Sequence, residues 1–487
     1  MAFRGLMQGE TRSAKVTTIH TMGMHSACRG YDQSVMPFAQ PSSIETNFLA
    51  AVAEPNTPEM REARALDALF PARFAPPAPG DLFVGRVRDL SFGLDARHGG
   101  FFFSDETPST HQKMLAACSP RLRESITSTG PLRAHTGWTG FALDYDTLLQ
   151  QGLQGLRVRI SARRNIAHVP RAAWDGMLAT LDVIQGSALT LADSAAADGL
   201  EHSAAALEAI VIHPPRSLYE ALQLLLLYSA HAGFPEQHGR MDEYLGDLYA
   251  DDLLAGRIAP EDAERMLAEF FRMCADNRGA PGRVTVGGRG RRNPSRADAC
   301  AALVINVIER QLGFTTRLDV RTHRGDAPAW RERLHALAAN DHAALHDDDA
   351  LLPEIKHDFA LTLNVAERYV PIGDKTYSLG HAGYHAPLCE LDAATLSAAD
   401  FAPHVEAAAE YHALACDIAG IEAPCLVQSL LLDGCIARGE TAFTGGVRFL
   451  GGALIAHNAY HLRNALRTCA RDQRERTWLH AYVCGFA

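Results

Sequence analysis

The sequence predicts an α/β fold, a mainly parallel sheet covered by helices. Three observations carry this reading. Short runs rich in β-branched residues, such as Arg283-Val-Thr-Val-Gly287 and Thr316-Arg-Leu-Asp-Val-Arg321, alternate with apolar stretches of helical spacing. A chain of 487 residues that is 47% hydrophobic can bury a large core. No repeat of 20 to 50 residues and no low-complexity linker interrupts the text, which favours one compact unit over residues 46–487 behind an N-terminal arm, residues 1–45, of unassigned role.

Taken in order, the Pro-rich patch before Asp81-Leu-Phe-Val-Gly-Arg86 reads as a loop leading into a strand near residue 84. Leu148–Ile160 repeats apolar residues at helical spacing, and the Ala- and Leu-rich text continues as helix to Ile212, where His213-Pro-Pro-Arg-Ser217 stops it. Ser217 with Glu220 three residues later forms a capping box for the next apolar helix. Further strands are expected near residues 284, 319, 345, 371, 428 and 447. In parallel α/β folds, chemistry gathers at the carboxyl ends of strands.

A formal net charge of -11 argues against a nucleic-acid partner, since phosphate neutralisation needs clustered Lys and Arg. The amino terminus has no apolar leader pattern and no window reaches the length needed to span a bilayer, so no membrane partner is expected and the protein is read as cytoplasmic. Ten cysteines stand singly without a Cys-x-x-Cys, and Cys274, Cys300, Cys416 and Cys469 read as reduced core residues in helices. A small-molecule substrate fits this composition best.

Six segments, in the right order, carry a family resemblance. They are Asp81–Arg86; Leu143-Asp-Tyr-Asp-Thr-Leu-Leu-Gln-Gln-Gly-Leu-Gln-Gly-Leu156; Pro215–Leu224 with Gly239-Arg-Met-Asp-Glu-Tyr-Leu245; Val286-Gly-Gly288 with Arg317–Arg321; His346–Pro353; and Gln428–Gly439 with Thr444-Gly-Gly446. The chain resembles the glycyl radical enzymes, pyruvate formate-lyase and its dehydratase and decarboxylase relatives, over roughly residues 60 to 470. The resemblance implies a pyruvate formate-lyase-like α/β barrel surrounded by helices, and a homodimer. In that family an Ala-Arg-Asp-Tyr-x-x-x-Gly stretch ends in the thiyl-forming cysteine. The similar segment here, Ala366-Glu-Arg-Tyr-Val-Pro-Ile-Gly373, is followed by Asp374. No counterpart of the family's C-terminal glycyl radical loop is found before Ala487, so the expectation is an enzyme that keeps the cavity and works without a glycyl radical.

Histidine pairs four apart occur at His342/His346, His381/His385 and His457/His461; on a helix such pairs share a face and can hold one transition metal. By resemblance His346, His381 and His385 border the cavity, so these three with Asp348 form the preferred ligand set for Fe, Mn, Cu or Zn. His457 and His461 are the second choice. Asp374 and Asp348 are the candidate catalytic carboxylates, and Asp319 and Arg321 the candidate substrate-binding pair, Arg321 by bidentate capture of a carboxylate. The expected activity is metal-dependent oxidative or lyase chemistry on a small polar metabolite, an amino acid or a derivative. Two alternatives stand beside it: a radical enzyme completed by a glycine-bearing subunit in trans, with Cys389 as its thiol, and a non-catalytic binding protein.

Overall fold

The structure, a computed structural model, describes mainly residues 57–78, 80–87, 132–134, 141–166, 171–233, 237–278, 282–310, 316–339, 343–358, 361–373, 376–378, 383–384, 387–392, 425–432, 435–439 and 478–482. The described strands are β1 (Leu132–Ala134), β2 (Phe141–Ala142), β3 (Gln237–Arg240), β4 (Arg283–Gly287), β5 (Arg317–Thr322), β6 (Ala343–Asp347), β7 (Val370–Gly373), β8 (Thr376–Ser378), β9 (Gly383–Tyr384), β10 (Pro387–Asp392) and β11 (Trp478–Tyr482). The principal sheet has the order β6-β5-β4-β3-β2-β9; β2 to β6 run parallel and β9 is antiparallel to β2. Among the described residues this sheet is open. Strands β1, β10 and β11 form a separate antiparallel sheet, and β7 and β8 pair as a hairpin.

The described helices are α1 (Pro58–Arg73), α2 (Tyr145–Ile166), α3 (Ala172–Ala197), α4 (Glu201–Ile212), α5 (Leu218–Ala232), α6 (Met241–Leu254), α7 (Pro260–Arg278), α8 (Pro294–Arg310), α9 (Pro328–Ala339), α10 (Asp348–Asp358), α11 (Leu363–Ala366), α12 (Cys425–Ser429) and α13 (Cys435–Arg438). The helical text from 148 to 212 forms three helices, α2 to α4. The predicted cap on α5 is present: Ser217 Oγ accepts from the Glu220 amide at 3.1 Å. Glu220 turns back to accept from the Arg216 amide at 2.7 Å, one residue earlier than in an ideal capping box. Helix α5 is hydrophobic all round and nearly all of it is buried, as expected of a helix wrapped by others. Cys274 and Cys300 are buried outside any disulfide, as expected, and so is Cys435. Among the described residues no helix is long and apolar enough to cross a membrane.

Strands appear where expected near 284, 319, 345 and 371. Two expectations are corrected. Around residue 84 the chain bends instead of forming a strand, leaving one isolated bridge between Phe74 and Val87. The side-chain amide of Gln223 serves Val84 as a neighbouring strand would, accepting from its N–H at 3.0 Å and donating to its carbonyl at 2.6 Å. Around residue 428 the chain is helical, as α12; the five residues Cys425–Ser429 are too few to carry a period that separates the two states. Residue 447 lies outside the described residues.

The period of two along β4 and β5 sorts their side chains onto two faces. Val284, Val286, Leu318 and Val320 lie in the main hydrophobic core. The alternate residues Arg283, Thr285, Asp319 and Arg321 are equally buried, on the opposite face. A face built of buried charges needs internal partners, and these partners define the candidate site.

Candidate functional site

Arg321, near the carboxyl end of β5, is fully buried. Its guanidinium grips Asp348, the first residue of α10, in two bonds: Nε to Oδ1 at 3.0 Å and Nη2 to Oδ2 at 2.9 Å. Nη1 donates to the carbonyls of Glu367 at 2.8 Å and Tyr369 at 3.1 Å. The Tyr369 ring lies under the guanidinium, 3.9 Å from Cζ to the ring centroid, and its hydroxyl donates to Asp348 Oδ1 at 2.7 Å. The Arg289 amide completes the set on Oδ2 at 2.7 Å. Four donors thus fill the four lone-pair positions of one carboxylate. Burial pushes the Asp348 carboxyl up, but the Arg321 charge and these hydrogen bonds outweigh it and hold the group below the usual carboxylate range.

The backbone is shaped to admit this knot. Gly288, after β4, has φ +82°, and a Cβ there would stand 2.7 Å from both Arg321 Cβ and Asp348 Oδ2. Only glycine meets both conditions without displacing the pair.

One layer deeper, Asp319 forms a second knot. Arg283 binds it bidentately, Nε to Oδ2 at 3.0 Å and Nη2 to Oδ1 at 2.7 Å. His346 Nε2 lies 3.0 Å from Oδ1, and Gln237 Nε2 donates to Oδ2 at 3.3 Å. All four residues are buried.

Both knots hold the segment that leads into the β7–β8 hairpin. Gln237 Nε2 donates to the Pro371 carbonyl at 2.6 Å. Arg240 donates to the Glu367 carbonyl at 3.1 Å through Nη1 and to the Gly287 carbonyl at 3.0 Å through Nη2. Burial lowers the Arg240 pKa to about 10, with the nearby positive charge of Arg321 acting in the same direction. The carbonyls of Glu367, Tyr369 and Pro371 therefore find buried side-chain donors on the polar sheet face. Gly373 of β7 pairs with Thr376 of β8, which brackets Asp374 in the connection between them.

The expected site residues fall as follows. Asp319, Arg321, His346 and Asp348 share one buried polar region, in two linked knots. The oxygens of Asp348 and Asp319 already hold four hydrogen bonds each, and Arg321 is engaged with Asp348 and two carbonyls. Among the described residues no three His, Cys, Asp or Glu side chains gather as a metal site. Asp374, His381, His385, His342, His457 and His461 lie outside the described residues, and the side chain of Cys389 is likewise undescribed. Sequence reasoning did not single out Gln237, Arg240, Arg283 and Tyr369. Arg240 and Tyr369 stood inside the quoted motifs, whereas nothing in the local text marks Gln237 or Arg283.

A family model described as Pyruvate formate lyase-like matches residues 105–373, more than half of the chain. A comparison with curated protein sequences finds no match. Among solved structures, the chain is similar to the protein of a study of 1,2-propanediol dehydration in Roseburia inulinivorans (TM-score 0.58, 17% identity, 83% of this chain and 64% of that one). It is similar to a glycyl radical enzyme from Archaeoglobus fulgidus (TM-score 0.61, 16% identity, 85% and 67%). It is also similar to hydroxyproline dehydratase from Clostridioides difficile with trans-4-hydroxy-L-proline bound (TM-score 0.63, 12% identity, 89% and 71%). At these identities the likeness is one of fold, and the chain spans less than two thirds of the Roseburia protein. A parallel sheet whose buried polar face docks the 366–373 segment agrees with the family match, and the chain belongs to the Pyruvate formate lyase-like family.

Proposed function

We propose that this protein is an enzyme acting on a small polar metabolite, an amino acid or related hydroxylated compound, bound where the polar sheet face meets the β7–β8 hairpin. The observation that carries the reading is the docking of Glu367, Tyr369 and Pro371 carbonyls by Arg240, Arg321 and Gln237. That investment of buried cations in loop placement fits a segment whose tip must stand at a fixed point. In the sequence, Asp374 follows this segment where the resemblance puts the family's thiyl-forming cysteine, so the proposed chemistry starts from a carboxylate in place of a sulfur radical. Similarity in fold to the protein studied for 1,2-propanediol dehydration and to hydroxyproline dehydratase supports a substrate of that size and polarity. In this reading Asp348, Arg321 and Asp319 anchor the loop and Asp374 meets the substrate.

A transition metal is a second proposal, favoured by the four-residue spacing of His381 and His385 after Asp374. With Asp348 saturated by donors, the expected ligand set reduces to its histidines. Elemental analysis of wild type beside His381→Ala and His385→Ala tests it: stoichiometric Fe, Mn, Cu or Zn lost in both variants is expected, and equal, negligible metal in all three ends it. A cytoplasmic homodimer belongs to the same proposal and is checked by light scattering.

The primary reading is tested by thermal shift with glycerol, propane-1,2-diol, trans-4-hydroxy-L-proline and the common amino acids. A saturating ligand at ten times its Kd stabilises by about 1.4 kcal/mol. A saturable rise in Tm with at least one compound, absent in Asp374→Ala, is expected; no response to any compound, or one unchanged by the substitution, contradicts the reading.

A further inference from the structure

The knot around Asp319 leaves one group unspent. Asp319 is bound bidentately by Arg283 and carries no proton to give, so His346 Nε2, 3.0 Å from Oδ1, must be the donor. Arg283 already balances the carboxylate, which removes the reason for a second buried cation beside it. In the neutral tautomer that makes this bond, the proton is on Nε2 and Nδ1 carries a bare lone pair. Nδ1 has no hydrogen bond among the described residues. The bond to Asp319 puts the ring on the same polar sheet face that docks the hairpin, at the carboxyl end of β6, beside Arg321 in the strand register.

We propose that His346 Nδ1 is a substrate-recognition acceptor, taking a hydrogen bond from a hydroxyl or ammonium group of the bound metabolite, with its tautomer fixed by Asp319 and Arg283. This rests on the substrate reading above for its ligand, but not for its tautomer. A donor-only side chain at this position would turn the same site toward carbonyl or carboxylate oxygens. The histidine selects alcohols and amines because its one remaining valence is an acceptor.

The test is 15N NMR of histidine-labelled full-length protein at about pH 8, above the ordinary histidine pKa, with the His346 signals assigned by their loss in His346→Gln. The expected spectrum shows a protonated Nε2 and a bare Nδ1, and the Nδ1 signal moves on adding whichever of glycerol, propane-1,2-diol or trans-4-hydroxy-L-proline raises the Tm. His346→Gln can donate to Asp319 and still accept from the ligand, so it should stay within about 3-fold of wild-type affinity. His346→Leu should lose roughly 10-fold. A proton on Nδ1, or on both nitrogens, overturns the proposal whatever binds. A compound that binds without moving Nδ1, or binds His346→Leu as well as wild type, overturns it while leaving the substrate reading intact. If none of the compounds binds, the substrate reading fails and this role fails with it, even where the tautomer is as stated.

Discussion

Strand β5 presents two faces built on opposite principles. Leu318 and Val320 bury hydrocarbon against the helices, whereas Asp319 and Arg321, one residue out of phase, bury full charges. The apolar face is held by volume and tolerates hydrophobic side chains of about the right size. The polar face is held by valence: the guanidiniums of Arg283 and Arg321 have designated acceptors, and deleting one member strands another. A buried ion pair is a poor source of net stability, so its use here is better explained by what it positions, the backbone entering the β7–β8 hairpin.

Substitutions that separate the two principles follow from this contrast. The largest effect is expected for Arg321→Met, which keeps much of the volume but leaves Asp348 buried without its cation; the loss should be about 3–5 kcal/mol by denaturant unfolding. The same substitution should invert the acid behaviour. In the wild type the Asp348 carboxyl is held below its ordinary value. It therefore contributes stability that is fully present above the unfolded-state value near pH 4 and is lost as pH falls through the lower folded value. In Arg321→Met the carboxylate is penalised instead, a penalty absent below about pH 4 and growing above it, so the gap between the two proteins should narrow as pH falls toward about 4 and further below it. A gap that stays constant with pH would mean that the loss is one of packing.

Arg283→Met should cost less, about 2–3 kcal/mol, because His346 and Gln237 still serve Asp319. Val320→Ala, across the sheet, should cost about 2 kcal/mol through lost methyl burial and cavity formation, with no pH dependence of its own. Tyr369→Phe removes one of the four donors on Asp348 and should cost about 1–2 kcal/mol, with the ring contact to Arg321 retained.

A difference that appears only above the ordinary carboxylate range lies away from the sheet, where burial raises the Glu62 carboxyl to about 8. The folded state then favours the protonated form, and the penalty for ionisation is absent below the ordinary value near 4.5 and grows until about pH 8. Glu62→Gln should therefore match wild type at low pH and be the more stable protein above neutrality. A difference of the opposite sign would show that Glu62 is ionised and satisfied.

The apolar face was legible in the sequence, because Val284, Val286, Leu318 and Val320 recur with period two. The polar face was legible only in part. Asp319, Arg321, His346 and Asp348 were singled out through motif order and do meet in space, but their pairing was not, because it depends on strand register. Arg283 reaches Asp319 only because β4 and β5 align Thr285 with Asp319. Gln237 arrives from a strand more than 80 residues away in sequence. The misread strand at 84 shares a cause with these omissions. Gln223 gives Val84 the partner that a strand would have supplied, and no local pattern announces a side chain that substitutes for a strand.

The central claim is that buried side chains of the sheet hold the hairpin-bearing segment in place. Amide hydrogen exchange over residues 366–378, compared between wild type and Arg321→Met at a denaturant-free pH where both are folded, tests it most directly. Protection of this segment should fall by roughly 10-fold or more relative to the β4 amides, as expected for the loss of two or more hydrogen bonds of about 0.5–1.5 kcal/mol each. Protection that falls equally in the segment and in β4, or in neither, would contradict it.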